Sequence, residues 1–521
     1  MVITLSRGRR DHIAGVAIAL DPTHVTLLCG IPNYSQGFET TVNSSPRTDR
    51  NIRAISATFP LALLTFCLSC SPPNTPPNIV LIYADDLGWR DLSVQGSAYY
   101  ETPNIDRLAE EGMRFTDAYA NAPNCAPSRA ALISGQYAPR TGIYTVGTAE
   151  RGPDEERALV PVDNETTLDL NVRTIAEVLG NAGYATGHAG KWHLGGKGFL
   201  PADQGFTWSI AGSEAGAPPD YFYPYERGDR RVPDLSKGKE GEYLPERLVN
   251  ESIAFIDREQ EGPFFLYLSH YAVHTPIQAR SEIVDRYRSK PPIGGHQNPT
   301  YAAMIESLDQ GVGRILTALE ERGLSDNTVV IFASDNGGFG PVTSMAPLRG
   351  SKGMLYEGGI RTPLIVRWPE QVDPGSTSQI PVIGLDLYPT MAHLAGASLP
   401  DDHTIDGVNL IPALTGSGEV PERDLIWHFP AYLEADRSVA GIWRTTPVSA
   451  LRRGPYKVIY FFEEDRWELY DLKSDASEMN DLSEKKPQLT LSLGSSLQQW
   501  WADVDAFLPL SPNPLYRDEG N

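Results

Sequence analysis

From Asn78 to Ala84 the chain reads NIVLIYA, an unbroken apolar run with the length of a strand buried on both faces. Thr102-Pro103 then supplies a cap and a first-turn proline, Ile105, Leu108 and Ala109 keep helical spacing, and Gly112 ends the turn. The alternation recurs downstream. Residues 173–181 read as a helix before a strand at 184–190. Met304, Ile305, Leu308, Val312, Ile315 and Leu319 stripe a long helix leading to a strand at 328–333. A further strand is expected at 364–368 and a helix at 385–395. Strands and helices in alternation predict an α/β fold, a large, mostly parallel sheet flanked by helices. Near Pro430 the texture changes: 456–462 and 467–472 read as a hairpin and 489–504 as a helix, which predicts a smaller C-terminal α+β subdomain.

The first 76 residues follow another pattern. Residues 54–69 hold Leu61, Leu63, Leu64, Phe66 and Leu68, preceded by Arg47, Arg50 and Arg53 and closed by Cys70: a basic region, a short apolar region and a processing site, as in an export signal. The stretch contains Pro60 and is shorter than the about 20 apolar residues of a membrane span. Leu68-Ser69-Cys70 resembles a bacterial lipoprotein box, so Cys70 is a candidate for lipidation. The expectation is an exported protein, periplasmic or on the outer surface, tied to a membrane only through that N-terminal lipid. Its translation start is expected nearer the signal than Met1. The expected organisation is an extension, signal and linker over 1–76, the α/β domain over 77–429, the subdomain over 430–510 and a tail over 511–521.

Composition narrows the partners. With 44 Lys+Arg against 66 Asp+Glu, the 521-residue chain carries a net charge of -22, which argues against general binding to nucleic acid or to an anionic membrane face. An anionic substrate must be held by a local cluster of cations. Of the four cysteines, Cys29 and Cys67 fall within or before the signal, so Cys70 and Cys125 remain and form no disulfide framework.

Two strands end in clustered oxygen ligands, Asp85-Asp86 after NIVLIYA and Asp335-Asn336 after TVVIFAS. Either pair alone reads as turn chemistry. Two pairs at the carboxyl ends of strands in one parallel sheet point instead to Ca²⁺ or Mg²⁺. Cys125 precedes Pro127 and a helical run, which places it at a helix start with Arg129 one turn on; a buried structural cysteine is the alternative.

The run CAPSRAALISG, beginning at Cys125, resembles the signature of type I sulfatases of the alkaline phosphatase superfamily, in which the cysteine is oxidised to formylglycine (3-oxoalanine). Asp85-Asp86, Lys191-Trp192-His193, His274-Thr275-Pro276, Asp335-Asn336-Gly337, RGSKGMLYEGGIRTP from Arg349 and Glu468-Leu469-Tyr470-Asp471-Leu472 are similar to family motifs and stand in family order over about residues 77–480. Ile133 and Ala476 depart from the usual Leu or Met and Pro.

The resemblance implies a catalytic domain over 77–429 and a sulfuric ester hydrolase. A hydroxyl of the hydrated formylglycine attacks sulfur and the ester oxygen leaves with a proton. The second hydroxyl then gives up its proton, the carbon–oxygen bond to the sulfate breaks, and the aldehyde returns. It further implies one Ca²⁺ held by Asp85, Asp86, Asp335, Asn336 and the modified Cys125. Arg129 would hold the diol, His193 would partner its hydroxyl, Lys191 would contact sulfate, and His274 or Lys352 would protonate the departing alcohol, His274 being favoured on acid–base grounds. If 191–193 is extended, Lys191 and His193 point the same way. Maturation implies a formylglycine-generating enzyme as partner.

Taken singly, His193 and His274 read as structural imidazoles and Lys352 as a surface lysine; His270 is read as structural. The stretch 212–227 offers Asp220, Tyr221 and Arg227 as a rim that binds sugar, or else a packed surface loop. Trp427, His428 and Arg444 are weaker candidates of the same kind. The expected substrate is a sulfated polysaccharide or oligosaccharide. A phosphate or phosphonate ester hydrolase of the same superfamily, a catalytically silent glycan-binding protein and a metal-free structural protein are the competing classes.

Overall fold

The computed structural model describes residues 16–21 and 24–29 as backbone, and residues 76–517 in full. The expected export signal and Cys70 lie outside the described residues. In the N-terminal unit Val16–Asp21 and His24–Cys29 pair antiparallel, a hairpin that the sequence reading did not anticipate.

The main unit is built on an eight-stranded sheet. In chain order its strands are β1 (Asn78–Ala84), β2 (Met113–Phe115), β3 (Ala185–Gly190), β4 (Trp208–Ile210), β5 (Phe264–Ser269), β6 (Thr328–Ser334), β7 (Leu364–Arg367) and β8 (Ser376–Ser378). Their spatial order is β8-β2-β7-β6-β1-β5-β3-β4. From β6 to β4 every pairing is parallel. β8 and β2 also pair parallel, and β7 alone runs antiparallel to its neighbours β6 and β2, so the sheet is mixed but mostly parallel, as expected.

NIVLIYA shows why the centre reads as continuously apolar. Val80, Ile82 and Ala84 enter one core with the helices Pro103–Glu110, Leu244–Glu259 and Pro299–Glu321, while Ile79, Leu81 and Tyr83 enter the opposite core with Cys125–Ser134, Ile175–Asn181 and Leu387–Leu394. At about 1.5–3 kcal/mol per fully buried aliphatic side chain, β1 alone contributes a sizeable share of the cohesion between layers.

Leu425–Phe429, Val448–Arg453, Tyr456–Phe461 and Arg466–Asp471 form an antiparallel sheet covered by the helix Pro487–Asp503 through Leu493, Leu497 and Trp501. The sheet therefore begins before residue 430, and its core is shared with Tyr119, Leu355, Ile360 and Leu385 of the α/β part. The tail is tied down as well, since Val160 N–H donates to the Ser511 carbonyl and Asn513 N–H to that of Ala158. Among the described residues no helix is long and apolar enough to cross a membrane.

Candidate active site

Four adjacent parallel strands, β6, β1, β5 and β3, deliver the polar motifs to one edge of the sheet. Ser334 is in register with Ala84, which sets Asp335 beside Asp85, and the Asp86 N–H donates to Asp335 Oδ1 at 3.1 Å. Gly190 is in register with Ser269, and Lys191 N–H donates to the Ser269 carbonyl at 2.7 Å. That approach requires glycine: at Gly190, φ is +112° and a Cβ would lie 1.9 Å from the Ser269 carbonyl oxygen. β5 leads into the loop bearing His270 and His274.

Cys125 is the first residue of Cys125–Ser134, a helix buried along its whole length. Its sulfur lies 3.5 Å from Asp85 Oδ1, 3.9 Å from Asp86 Oδ1 and 3.4 Å from Lys352 Nζ. Lys352 Nζ also contacts Asp86 Oδ1 at 2.5 Å. The loop carrying Lys352 is braced from the C-terminal sheet, where Tyr470 accepts from Arg349 at 3.1 Å and Glu468 accepts from Tyr356 at 2.9 Å. The late ELYDL motif thus positions the RGSKG motif.

The three carboxylates Asp85, Asp86 and Asp335 face Arg129, Lys191 and Lys352 here. Arg129 donates to Asp335 Oδ2 through Nε at 3.0 Å and Nη2 at 2.8 Å and to the Lys191 carbonyl at 3.2 Å, so it clamps Asp335, while Nη2 also lies 3.8 Å from the Asp85 Oδ1 that faces the Cys125 sulfur. Lys191 is fully buried against Asp85 Oδ2 at 2.7 Å and lies outside the lining of the cleft. The segment 191–193 is not extended, because His193 has φ +63°; its ring reaches the cleft while Lys191 does not. A Cβ at Gly216 would lie 2.5 Å from His193 Cε1, so the bare backbone of Gly216 seats that ring.

Burial and neighbouring charge split the acids. Burial pushes the Asp85 carboxyl well above its ordinary range, Asp335 and Cys125 add to the push, and Lys191 opposes it. Burial also opposes ionisation of Asp86, yet Lys352 and His274 hold it below the ordinary range; Arg129 and Lys191 do the same for Asp335. Despite burial, Asp86, Cys125 and Asp85 hold Lys352 charged. Burial lowers His193 and His274, with Lys191 and Lys352 respectively adding most among the nearby cations.

These residues fit a hard dication. Asn336 Nδ2 donates to Asp86 Oδ1 at 2.8 Å and to the Gly337 carbonyl, which leaves its buried Oδ1 without a partner among the described residues. A cation beside that oxygen would satisfy it and relieve Asp85. Ligand atoms of Asp85, Asp86, Cys125 and His274 lie within 4.8 Å of one another. Asp335 and Asn336 join this group through Asp86.

A cleft of about 400 Å³ opens above Cys125, with Asp86, His193, His274 and Lys352 on its floor. The expected sugar-binding rim is elsewhere. Tyr221 is fully buried, its hydroxyl 2.6 Å from the Tyr271 carbonyl and 2.8 Å from that of His274, so it braces the His274 loop. Asp220 accepts from the Phe222 N–H at 3.0 Å and pairs with the exposed Arg227 at 3.3 Å; neither lines the cleft. Trp427 is buried and donates to the Ala120 carbonyl, and His428 is buried between Ser449 Oγ and the Phe507 carbonyl. Burial takes His428 down to about 4 and the enclosed His270 to about 3. The wall is formed instead by Arg444, Arg151 and Arg230. Arg151 and Arg230 went unnoticed in the sequence; the only signal was the Gly228-Asp229 turn that presents Arg230.

The sulfatase family model matches residues 77–397, and a model described as N-sulphoglucosamine sulphohydrolase, C-terminal, matches 351–501. A protein of Formosa agariphila named Sulfatase is 34% identical over 503 residues, covering 82% of this chain and 89% of its own length. Arylsulfatase A of Homo sapiens is 33% identical, covering 85% and 91%. The crystal structure of Ps i-CgsB in complex with k-i-k-neocarrahexaose has a TM-score of 0.70 at 30% identity, over 84% of this chain and 95% of that one. With its motifs gathered at one sheet edge and family models matching from residue 77 to 501, the chain belongs to the sulfatase family of the alkaline phosphatase superfamily, hydrolases of sulfuric esters.

Proposed function

We propose that the protein removes sulfate from a sulfated polysaccharide or oligosaccharide, using as nucleophile a hydrated formylglycine that a formylglycine-generating enzyme makes from Cys125, with one Ca²⁺ beside it. The observation that carries this reading is the setting of the Cys125 sulfur, within 3.9 Å of two carboxylates and 3.4 Å of an ammonium. A soft thiol matches that hard surrounding poorly, whereas an oxygen on the same Cβ matches both the ammonium and a calcium ion. Asp85, Asp86, Asp335 and Asn336 would hold the ion, which supplies polarisation of the nucleophile and of the sulfate oxygens.

The chain's own groups then divide the work. Lys352 donates to oxygen at residue 125 and offsets the sulfate charge. Arg129 and Lys191 hold Asp335 and Asp85 in place, which makes them positioning residues in this arrangement. His274 Nδ1 lies 2.9 Å from the Thr275 carbonyl; with the proton there, Nε2 is the atom that can carry a second proton to the departing alcohol. His193 faces the same cleft.

A carbohydrate substrate is favoured because Ps i-CgsB was crystallised with k-i-k-neocarrahexaose. Arg444 also borders a second groove of about 840 Å³, so there is room for more than one sugar. We further propose export, with lipidation at Cys70, on the strength of the apolar stretch at 54–69.

The test is the mass of the peptide containing residue 125, from protein made with a formylglycine-generating enzyme, paired with turnover of sulfate and phosphate esters. Aldehyde at residue 125 and preference for sulfate esters are expected. Unmodified cysteine with undiminished turnover would remove the nucleophile, and preference for phosphate or phosphonate esters would move the activity to that class.

A further inference from the structure

Three guanidinium groups reach the wall of the cleft from three separate segments. Arg151 comes from the loop beyond the signature helix, Arg230 from the hairpin Glu226–Arg227 and Arg230–Arg231, and Arg444 from the strand Trp443–Thr445. Among the described residues none of them makes a hydrogen bond or ion pair with Cys125, Asp85, Asp86 or Asp335, although Arg444 Nη1 donates to the Lys352 carbonyl at 3.2 Å. Around residue 125, Arg129, Lys191 and Lys352 already answer Asp335, Asp85 and Asp86.

Their own pairing is incomplete. Arg444 Nη1 lies 3.2 Å from Asp436 Oδ2, but that oxygen takes no aligned hydrogen bond, and Arg444 Nε is buried without a partner among the described residues. Burial pulls this guanidinium below its ordinary pKa, with Asp436 only partly opposing. Arg151 donates through Nη2 to the Val146 carbonyl and through Nε to that of Thr148 at 3.4 Å, but its one carboxylate neighbour among the described residues, Glu434, stands off at 3.6 Å. Arg230 is exposed and, among the described residues, has no carboxylate within ion-pair distance. A protein of net charge -22 has thus gathered three under-compensated cations at one mouth, and one of them is largely desolvated. A planar guanidinium that lines a cleft with its charge incompletely answered is well suited to receive an oxyanion.

We propose that Arg151, Arg230 and Arg444 form a second anion site. It reads an acidic substituent, sulfate ester or carboxylate, that the substrate carries in addition to the sulfate being removed. The enzyme thereby selects polyanionic glycans over singly charged esters. Arg444 borders both the cleft and the larger groove, which places this second anion between the reacting centre and the path of the neighbouring sugar. The inference rests on the sulfatase reading above.

Calorimetry on the full chain, in excess calcium and at fixed ionic strength of about 0.15 M to limit long-range attraction, tests it with matched pairs. These are D-glucosamine 6-sulfate against D-glucosamine-2-N,6-O-disulfate, a neocarrabiose with one sulfate against one with two, and a 6-sulfated chondroitin disaccharide methyl ester against its free acid. At least one doubly acidic member is expected to bind about tenfold tighter than its mate, and the pair that shows it separates sulfate from carboxylate. Arg230→Gln and Arg444→Gln should each cut that preference by about threefold or more. Arg230 is exposed, so R230Q keeps the fold; if R444Q does not, R151Q replaces it. No preference in any pair, or a preference unchanged in the variants, overturns the proposal. Turnover of 4-nitrophenyl sulfate by modified protein is scored separately. Its absence with the preference intact counts against the sulfatase reading alone.

Discussion

Lys352 Nζ stands 3.4 Å from the Cys125 sulfur and 2.5 Å from Asp86 Oδ1, joining residue 125, the proposed nucleophile, to a carboxylate of the proposed metal site by one ammonium. In the proposed mechanism a charge so placed acts on the reacting oxygen and on the sulfate in the transition state. Lys352→Ala should therefore lower kcat on 4-nitrophenyl sulfate by about 10²–10³-fold, with a smaller change in KM. Lys352→Arg should recover part of it. A kcat for the alanine variant close to that of wild type would place Lys352 outside the chemistry.

Asn336 Oδ1 has no partner among the described residues, so the proposed calcium binding can be tested without any substrate. Thermal unfolding should shift upward with calcium and downward after chelation. At 100-fold excess over Kd the gain is about 2.7 kcal/mol. Asn336→Leu keeps the volume but removes the oxygen, and should raise the calcium concentration needed for the shift by about tenfold or more. A wild-type midpoint indifferent to calcium would leave no reason for Asn336 Oδ1 to be buried and bare.

Much of this was legible beforehand, for physical reasons that also explain what was not. NIVLIYA can only be a strand covered on both faces, and acids at the ends of parallel strands must meet at one edge, so Asp85, Asp86, Asp335 and Asn336 could be placed together from topology alone. The direction of Leu364–Arg367 could not, because it depends on the path of the long loop that carries Lys352. Arg151 and Arg230 sit in loops without periodicity, and only tertiary packing brings them to one cleft. Tyr221 misled because its Gly- and Pro-rich surroundings signal a surface loop while its ring packs inward, 5.9 Å from that of Tyr243.

That inward packing has a kinetic consequence. Tyr221→Phe leaves the Tyr271 and His274 carbonyls without the hydroxyl, at a cost of about 1–3 kcal/mol in stability. A loosened His274 loop should lower kcat and leave KM for sugar substrates nearly unchanged. A raised KM at constant kcat would show instead that the hydroxyl meets substrate.

A buried cluster at the junction with the C-terminal sheet should govern how stability depends on pH. Lys457 Nζ lies 3.0 Å from Glu357 Oε1 and 2.8 Å from Glu478 Oε1, and Glu478 Oε2 accepts from the Glu357 N–H at 2.6 Å. One ammonium cannot fully compensate two buried carboxylates. Burial opposes the charge on Glu357, yet Lys457 and Arg361 keep it ionised, below its ordinary pKa. Glu478 is pushed up to about 7, because burial outweighs the opposing Lys457 ammonium and the Glu357 charge adds a smaller push. A carboxyl whose folded pKa is raised binds more protons in the folded state. Its contribution is complete below the unfolded value and lost as pH rises through 7. Urea unfolding of wild type between pH 5 and 8 should therefore show a decline that Glu478→Gln lacks, on the order of 2–3 kcal/mol. The amide can still accept from the Glu357 N–H, so the variant should fold at either pH. Parallel pH profiles for the two proteins would mean that Glu478 stays ionised throughout and that Lys457 serves both carboxylates.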